Sequence, residues 1–228
     1  MSTARSAALP LTDESGVGRT SQCDMGEIGA RFEKVAAAFS SRVAAVPAGA
    51  WDRPAPCEGW VARDVVRHLL EWLPGPGFLL GTFGVETGPI PSVDTDPMAA
   101  WAVVRDAIQR ALDDPAVATR VEDCGPPGRL SLAAAVDMTC TPDVLIHTWD
   151  LARATGLDER LDPDEVRRQL AAIDALPPEV DEAMRSSGHY GPRVAVPDDA
   201  DDQTRLLAFM GRTVSEIDSE PGGASSAR

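Results

Sequence analysis

Apolar residues return every three or four positions through most of this chain, the spacing that lines one face of an α-helix. Ile28, Phe32, Val35, Phe39 and Val43 do so along a segment from Met25 to about Val46, which stops at Pro47 and Gly49. A second helix is predicted from about Val61 to Trp72, on a stripe reading Val61, Val65, His68, Trp72. A third runs from about Asp96 to Leu112 and gathers Met98, Trp101, Val104, Ile108 and Leu112. A fourth spans about Leu132 to Ala154 and ends at Gly156, a residue suited to a left-handed helix cap. Shorter helices follow over 163–175 and 178–185, and a last one over 199–212 presents Leu206, Leu207, Phe209 and Met210.

Residues 74–97 are rich in Gly and Pro and read as irregular, with Phe78–Phe83 resuming the second helix after a break. Residues 115–130 read as a loop with a short extended piece near Thr119–Glu122, and His189 to Pro197 as an extended turn segment. Residues 1–24, rich in Ser, Thr, Gly and Ala, and residues 213–228 read as disordered tails around one domain over 25–212. Four long helices with modest connections predict an all-α fold, a four-helix bundle with short extra C-terminal helices. One local conflict stands inside the fourth helix. Pro142 removes a backbone donor and should kink that helix or restart it, with Thr141 as the new cap.

The apolar stripes carry three misplaced polar groups. On the fourth helix the inward face reads Val136, Cys140, Asp143, His147, Leu151, Ala154, and on the second it includes His68. Uncompensated burial of a neutral polar group costs roughly 2–7 kcal/mol. A divalent cation shared by a carboxylate and two imidazoles removes that cost. Asp143 and His147 are four residues apart, about 40° around the helix, so both can reach one ion. His68 would come from a facing helix, the way metal sites in bundles are assembled. Such a donor set suits Zn²⁺ first, with Ni²⁺, Fe²⁺ or Mn²⁺ as alternatives, better than Ca²⁺ or Mg²⁺. Three protein ligands also leave a position open, as reactive rather than structural sites do. By itself the D-x-x-x-H spacing is a weak signal, because satisfied structural histidines are commoner.

Composition narrows the partners. The chain has 228 residues, 43% hydrophobic, and a formal net charge of −15, which argues against nucleic acid and anionic membranes. No apolar run approaches the roughly 18 residues of a membrane span. The first residues lack the basic-then-apolar layout of a secretory signal, so a cytoplasmic protein is expected. Cys23, Cys57, Cys124 and Cys140 form no C-x-x-C pair and are expected as free thiols. Cys140 falls three residues before Asp143 and reads either as a fourth ligand or as a buried small hydrophobe, the commoner fate of a free cysteine.

The segment W-D-R-P-A-P-C-E-G-W with the following R-D-V-V-R-H-L (Trp51 to Leu69), and D-V-L-I-H-T-W-D-L-A-R-A-T-G (Asp143 to Gly156), resemble the DinB-like metal-binding superfamily. More narrowly they resemble the mycothiol-dependent maleylpyruvate isomerase N-terminal group and its shorter relatives, which G-P-R-V-A-V-P-D-D-A and R-L-L-A-F-M-G-R (Gly191 to Arg212) also match. That resemblance implies an up-down-down-up four-helix bundle, often a homodimer. It also implies a divalent metal held at the positions of His68, Asp143 and His147. Two departures stand out: the isomerase pattern has glutamate where this chain has Asp143, and only about 70 residues follow Leu157 where the isomerase carries a sizeable second domain. Isomerisation of maleylpyruvate itself is therefore not expected.

Two functions compete on this footing. The leading one is a metal-dependent thiol transferase or thiol-assisted isomerase that joins a low-molecular-weight, mycothiol-like thiol to a small electrophilic substrate. The rival is a non-catalytic metal-binding or stress-associated protein. Among the remaining residues, Asp150 reads as a helix-surface or intrahelical partner, or as a group that orients His147 or a neighbouring Arg. Trp72 and Trp149 read as core packing first and as the lining of a pocket second, Glu58 and Asp64 as capping carboxylates with proton transfer as the lesser alternative, Cys57 as structural rather than a nucleophile, and His189 as a surface or packing histidine.

Overall fold

The computed structural model describes residues 22–125, 128–186 and 191–214. His189 and most of both expected tails lie outside these residues. Among the described residues the chain is all-α with one small hairpin. Helix α1 (Gln22–Ala45) starts three residues inside the expected N-terminal tail and buries the predicted stripe Ile28, Phe32, Val35, Phe39 and Val43. Helix α2 (Ala62–Trp72) has no side-chain cap of the Ser or Thr kind; instead Asp64 accepts the Val61 N–H at 3.0 Å, so the expected capping carboxylate is there. Glu58 is exposed. Helix α3 (Leu79–Phe83) is a single turn in the Gly/Pro-rich stretch.

Helix α4 (Pro97–Asp113) is opened by Asp96, whose carboxylate accepts the Ala99 N–H at 2.9 Å, with Pro97 in the first turn where its missing donor costs nothing. A short turn α5 (Pro115–Ala118) follows. The loop expected over 115–130 carries an antiparallel hairpin, β1 (Val121–Asp123) paired with β2 (Arg129–Ser131). The three-residue strands are too short to leave a periodic signal.

The fourth long helix does not restart with a new cap at Pro142. It runs as α6 (Leu132–Ala135), a wider π-turn over Val136–Cys140, and α7 (Thr141–Thr155), with Cys140 still in helical backbone geometry. Thr141 donates its N–H to the Val136 carbonyl, five residues back. The wider turn accommodates a proline, which cannot donate to Met138 and whose ring would crowd that carbonyl in a regular helix. Thr141 is thus no cap; its buried hydroxyl has no hydrogen-bond partner among the described residues.

Helices α1 and α2 each pack on both α4 and α7. Helix α7 is buried nearly all round, from Val144 through Ala152, which is why its single-stripe reading understated it. Helix α8 (Pro163–Asp174) packs on α10 (Asp202–Phe209), with α9 (Pro178–Ser186) between them in sequence. No helix among the described residues is long and apolar enough to cross a membrane.

The end of α10 decides where the chain goes next. Gly211, at φ +83°, donates to the Ala208 carbonyl, and Arg212 N–H reaches back to Leu207 at 2.9 Å, a left-handed cap that turns Arg212 inward. A Cβ on Gly211 would sit 2.8 Å from Gly191 Cα. A Gly211→Ala variant should therefore lose more than about 1 kcal/mol, through strained backbone and the collision together. In thermal unfolding that is a melting point at least about 2–4 °C lower. An unchanged melting point would show that the two backbones can separate freely.

Candidate metal centre

The core face of α2 is centred on Ala62, Val65, Val66, Leu69 and Leu70, about one residue round from the predicted stripe. His68 and Trp72 therefore lie on the flank of the helix, facing α7 at the edge of the core. The His68 side chain is 33% exposed and that of Asp143 27%, whereas His147 retains only 6%. The three groups do not close deep inside the core, where the apolar stripes had placed them. They form a cup with a buried floor, His147, and an open rim.

Ligating atoms of His68, Asp143 and His147 all lie within 4.8 Å of one another. His68 Nε2 is 3.5 Å from Asp143 Oδ2, and His147 Nε2 is 3.4 Å from Asp143 Oδ1. These separations are long for hydrogen bonds, which fall near 2.7–3.2 Å. They lie close to the ligand–ligand spacing of roughly 3.4 Å expected about a small ion with ligands at about 2.1 Å, each imidazole facing a different oxygen of Asp143. The three groups are thus a candidate set for one divalent cation. Asp143 Oδ2 also accepts the Trp72 indole N–H at 2.9 Å, which holds the carboxylate in place. Burial alone would lift the Asp143 carboxyl, but the facing imidazoles outweigh it and hold it below the usual carboxylate range. Burial would likewise lower His147, yet Asp143 and Asp150 raise it to about 9.

Behind His147 sits a second layer. His147 Nδ1 is 2.9 Å from Asp150 Oδ2, and Asp150 is fully buried rather than on the helix surface. Arg212 donates to both carboxylate oxygens, Nη2 to Oδ2 at 2.7 Å and Nε to Oδ1 at 3.2 Å. Cys57 Sγ lies 3.5 Å from Asp150 Oδ2 and 3.3 Å from Arg212 Nη2. Cys57, His147 and Asp150 form a second cluster with metal-ligand geometry, but the guanidinium already supplies its positive charge. Burial first, and the Asp150 charge second, push the Cys57 thiol up to about 12, so it stays protonated and unreactive.

The P-C-E-G-W loop feeds both layers. Trp60 N–H donates to the Cys57 carbonyl at 3.1 Å across a tight turn whose third residue, Gly59, has φ +76°. That reversal aims Cys57 at Asp150 and lays Trp60 over the imidazoles, 5.8 Å and near-parallel to His147 and 5.1 Å from His68. Trp72 continues the rim to Phe78, ring centroids 5.1 Å apart. Trp72 is accordingly a site residue and only partly buried, while Trp149 is core, as expected. Cys140 is wholly buried and belongs to neither cluster, the small-hydrophobe reading of it. Cys57, Cys124 and Cys140 are free thiols. Sequence patterns missed Trp60 and Arg212. One signal was available: a second carboxylate three residues after His147 on an otherwise apolar helix needs a cation from elsewhere.

Residues 32–75 match the family model of the mycothiol maleylpyruvate isomerase N-terminal domain, a stretch that contains the P-C-E-G-W loop and His68 but not Asp143 or His147. Two uncharacterized proteins of Mycobacterium tuberculosis, from strains CDC 1551 / Oshkosh and ATCC 25618 / H37Rv, are each 29% identical over 181 residues. Each alignment covers 78% of this chain and 93% of the relative. No solved structure matches the chain significantly. Over residues 32–75 the chain is thus similar to the mycothiol maleylpyruvate isomerase N-terminal domain, on an all-α fold of the kind the DinB-like resemblance implies.

Proposed function

We propose that this protein binds one divalent metal ion through His68, Asp143 and His147 and uses the open side of that site to engage a low-molecular-weight thiol. The observation that carries the reading is the convergence of the three donors: ligand atoms within 4.8 Å of one another, with imidazole–carboxylate separations that are long for hydrogen bonds and close to the ligand spacing about a small cation. Zn²⁺ is the first choice for two imidazoles and a carboxylate. The ion, when bound, would keep a coordinating thiol deprotonated at neutral pH.

The chain's own residues do the rest. Trp72 fixes the carboxylate, Asp150 orients His147, and the exposed edges of His68 and Asp143 leave the approach free. Trp60, Trp72 and Phe78 give that approach an apolar wall against which an organic group can rest. The similarity over residues 32–75 names mycothiol, which makes a mycothiol-like thiol the natural co-reactant and an S-transfer or thiol-assisted isomerisation of a small electrophile the reaction class.

Tag-free protein loaded with Co²⁺ tests this. We expect about one ion per chain, and a new sulfur-to-cobalt charge-transfer band when mycothiol is added. The His68→Ala variant should lose both. Metal without any thiol response would favour the non-catalytic metal-binding reading. Failure to bind stoichiometric metal rejects both.

A further inference from the structure

We infer that Arg212 is a positioning residue of the metal centre: acting through Asp150, it fixes which nitrogen of His147 faces the cation. This rests on the metal reading above and assigns the C-terminal segment a part in it. Asp150 is wholly buried, and both of its oxygens are engaged from the far side by one guanidinium. Arg212 donates to Oδ1 and Oδ2 together, and this two-point grip fixes the plane of the carboxylate and sets both oxygens as acceptors.

Asp150 Oδ2, set as an acceptor, takes the hydrogen of His147 Nδ1 in the 2.9 Å contact, so Nε2 is the ring nitrogen left for a cation to bind. Nε2 is the atom that faces Asp143 at 3.4 Å. Cys57, aimed at the same oxygen, leaves Asp150 Oδ2 no spare capacity. The chain goes to some length to deliver this guanidinium across 62 residues of sequence. The Gly211 cap turns it inward, Gly191 permits the close backbone approach, and the Met210 carbonyl accepts from Arg212 Nη1 at 3.0 Å. A lysine could neutralise Asp150 but could not grip both oxygens in one plane.

The experiment uses the full chain with Co²⁺ as the probe, reading affinity by chelator competition and the ligand field from the visible spectrum. Arg212→Met should bind Co²⁺ about 10–100-fold more weakly and shift the visible bands. Arg212→Lys should recover part of the affinity. Arg185→Met is the control, since Arg185 grips the same segment through the Gly191 and Phe209 carbonyls without touching Asp150. It should leave affinity and spectrum unchanged. Should Arg212→Met fail to fold, Asp150→Asn, nearly identical in shape, is expected to shift the bands in the same direction. Wild-type affinity and spectrum in Arg212→Met, or in Asp150→Asn, overturn the inference, as does an equal loss in Arg185→Met, which would make Arg212 a mere staple. A wild-type chain that takes up no Co²⁺ rejects the metal reading itself, a result distinct from any of these.

Discussion

Replacing His147 with alanine should take bound metal from about one ion per chain to less than about a tenth, with the helical fold intact. His147 is the most deeply set of the three donors and the floor of the cup. Without it, His68 and Asp143 remain as two partly exposed groups on different helices, a pair that water and side-chain motion compete with easily. Loss of an outer partner of a metal ligand already costs 10–100-fold in affinity, so loss of the ligand should exceed about 100-fold. The fold should survive because the polar groups left behind keep partners: Asp150 retains both bonds to Arg212, and Asp143 retains the Trp72 indole. A stability loss of about 1–3 kcal/mol is expected from the missing ring under Trp60. Elemental analysis after gel filtration reads the metal, and far-UV circular dichroism the helix content. Unchanged metal content would mean that the ion is held elsewhere, and the proposed centre would fall.

The legibility of this site in the sequence follows how local each signal is. Asp143 and His147 stand one helical turn apart, so helix geometry alone unites them, and a charged pair in an apolar run is conspicuous. His68 was legible as misplaced, but its depth was not: α2 presents Val65, Val66 and Leu69 to the core, and a stripe drawn through Val61 rotates the helix by about one residue. Patterns of apolar spacing cannot separate a flank from a face when neighbours on both sides are hydrophobic. Trp60 depends on a loop conformation and Arg212 on a cap, a close glycine contact and a segment brought from 62 positions away. No periodicity encodes such a meeting. The π-turn before Pro142 was hidden for a similar reason. Proline announces that a regular helix must yield, while the surrounding packing decides whether it breaks or widens. Here Arg31 and Arg168 hold Asp137 in the widened turn, and buried residues on either side keep the helix running.

A Trp101→Ala change should produce the largest stability loss, about 3–5 kcal/mol, the range for removing a fully buried aromatic side chain. Trp101 is wholly inaccessible on α4 and meets Phe39 of α1 edge-on, with ring centroids 4.9 Å apart. Its indole N–H donates to Ser40 Oγ at 2.9 Å, so the side chain joins two helices that pack along much of their length. The polar share of the loss is small. Ser40 still donates to the Ala36 carbonyl at 2.7 Å and still accepts from Arg105 at 3.1 Å, so no buried group is orphaned. What remains is lost apolar transfer and an unfilled space between α1 and α4. Against a typical total of about 5–15 kcal/mol this is a large fraction. It corresponds to a melting point lower by about 6–20 °C in a chain of this size. Trp101→Phe, which keeps one ring against Phe39, should cost less than half as much. Urea unfolding with an unchanged dependence on denaturant checks both values, and a loss below about 1 kcal/mol for the alanine variant would mean that the helices close over the gap. The hydrogen bond and ring contact of Trp101 are to Ser40 and Phe39 on α1, not to the three proposed ligands. The alanine variant, held well below its melting point, should therefore bind Co²⁺ as the wild type does, because mutations without shared partners add independently.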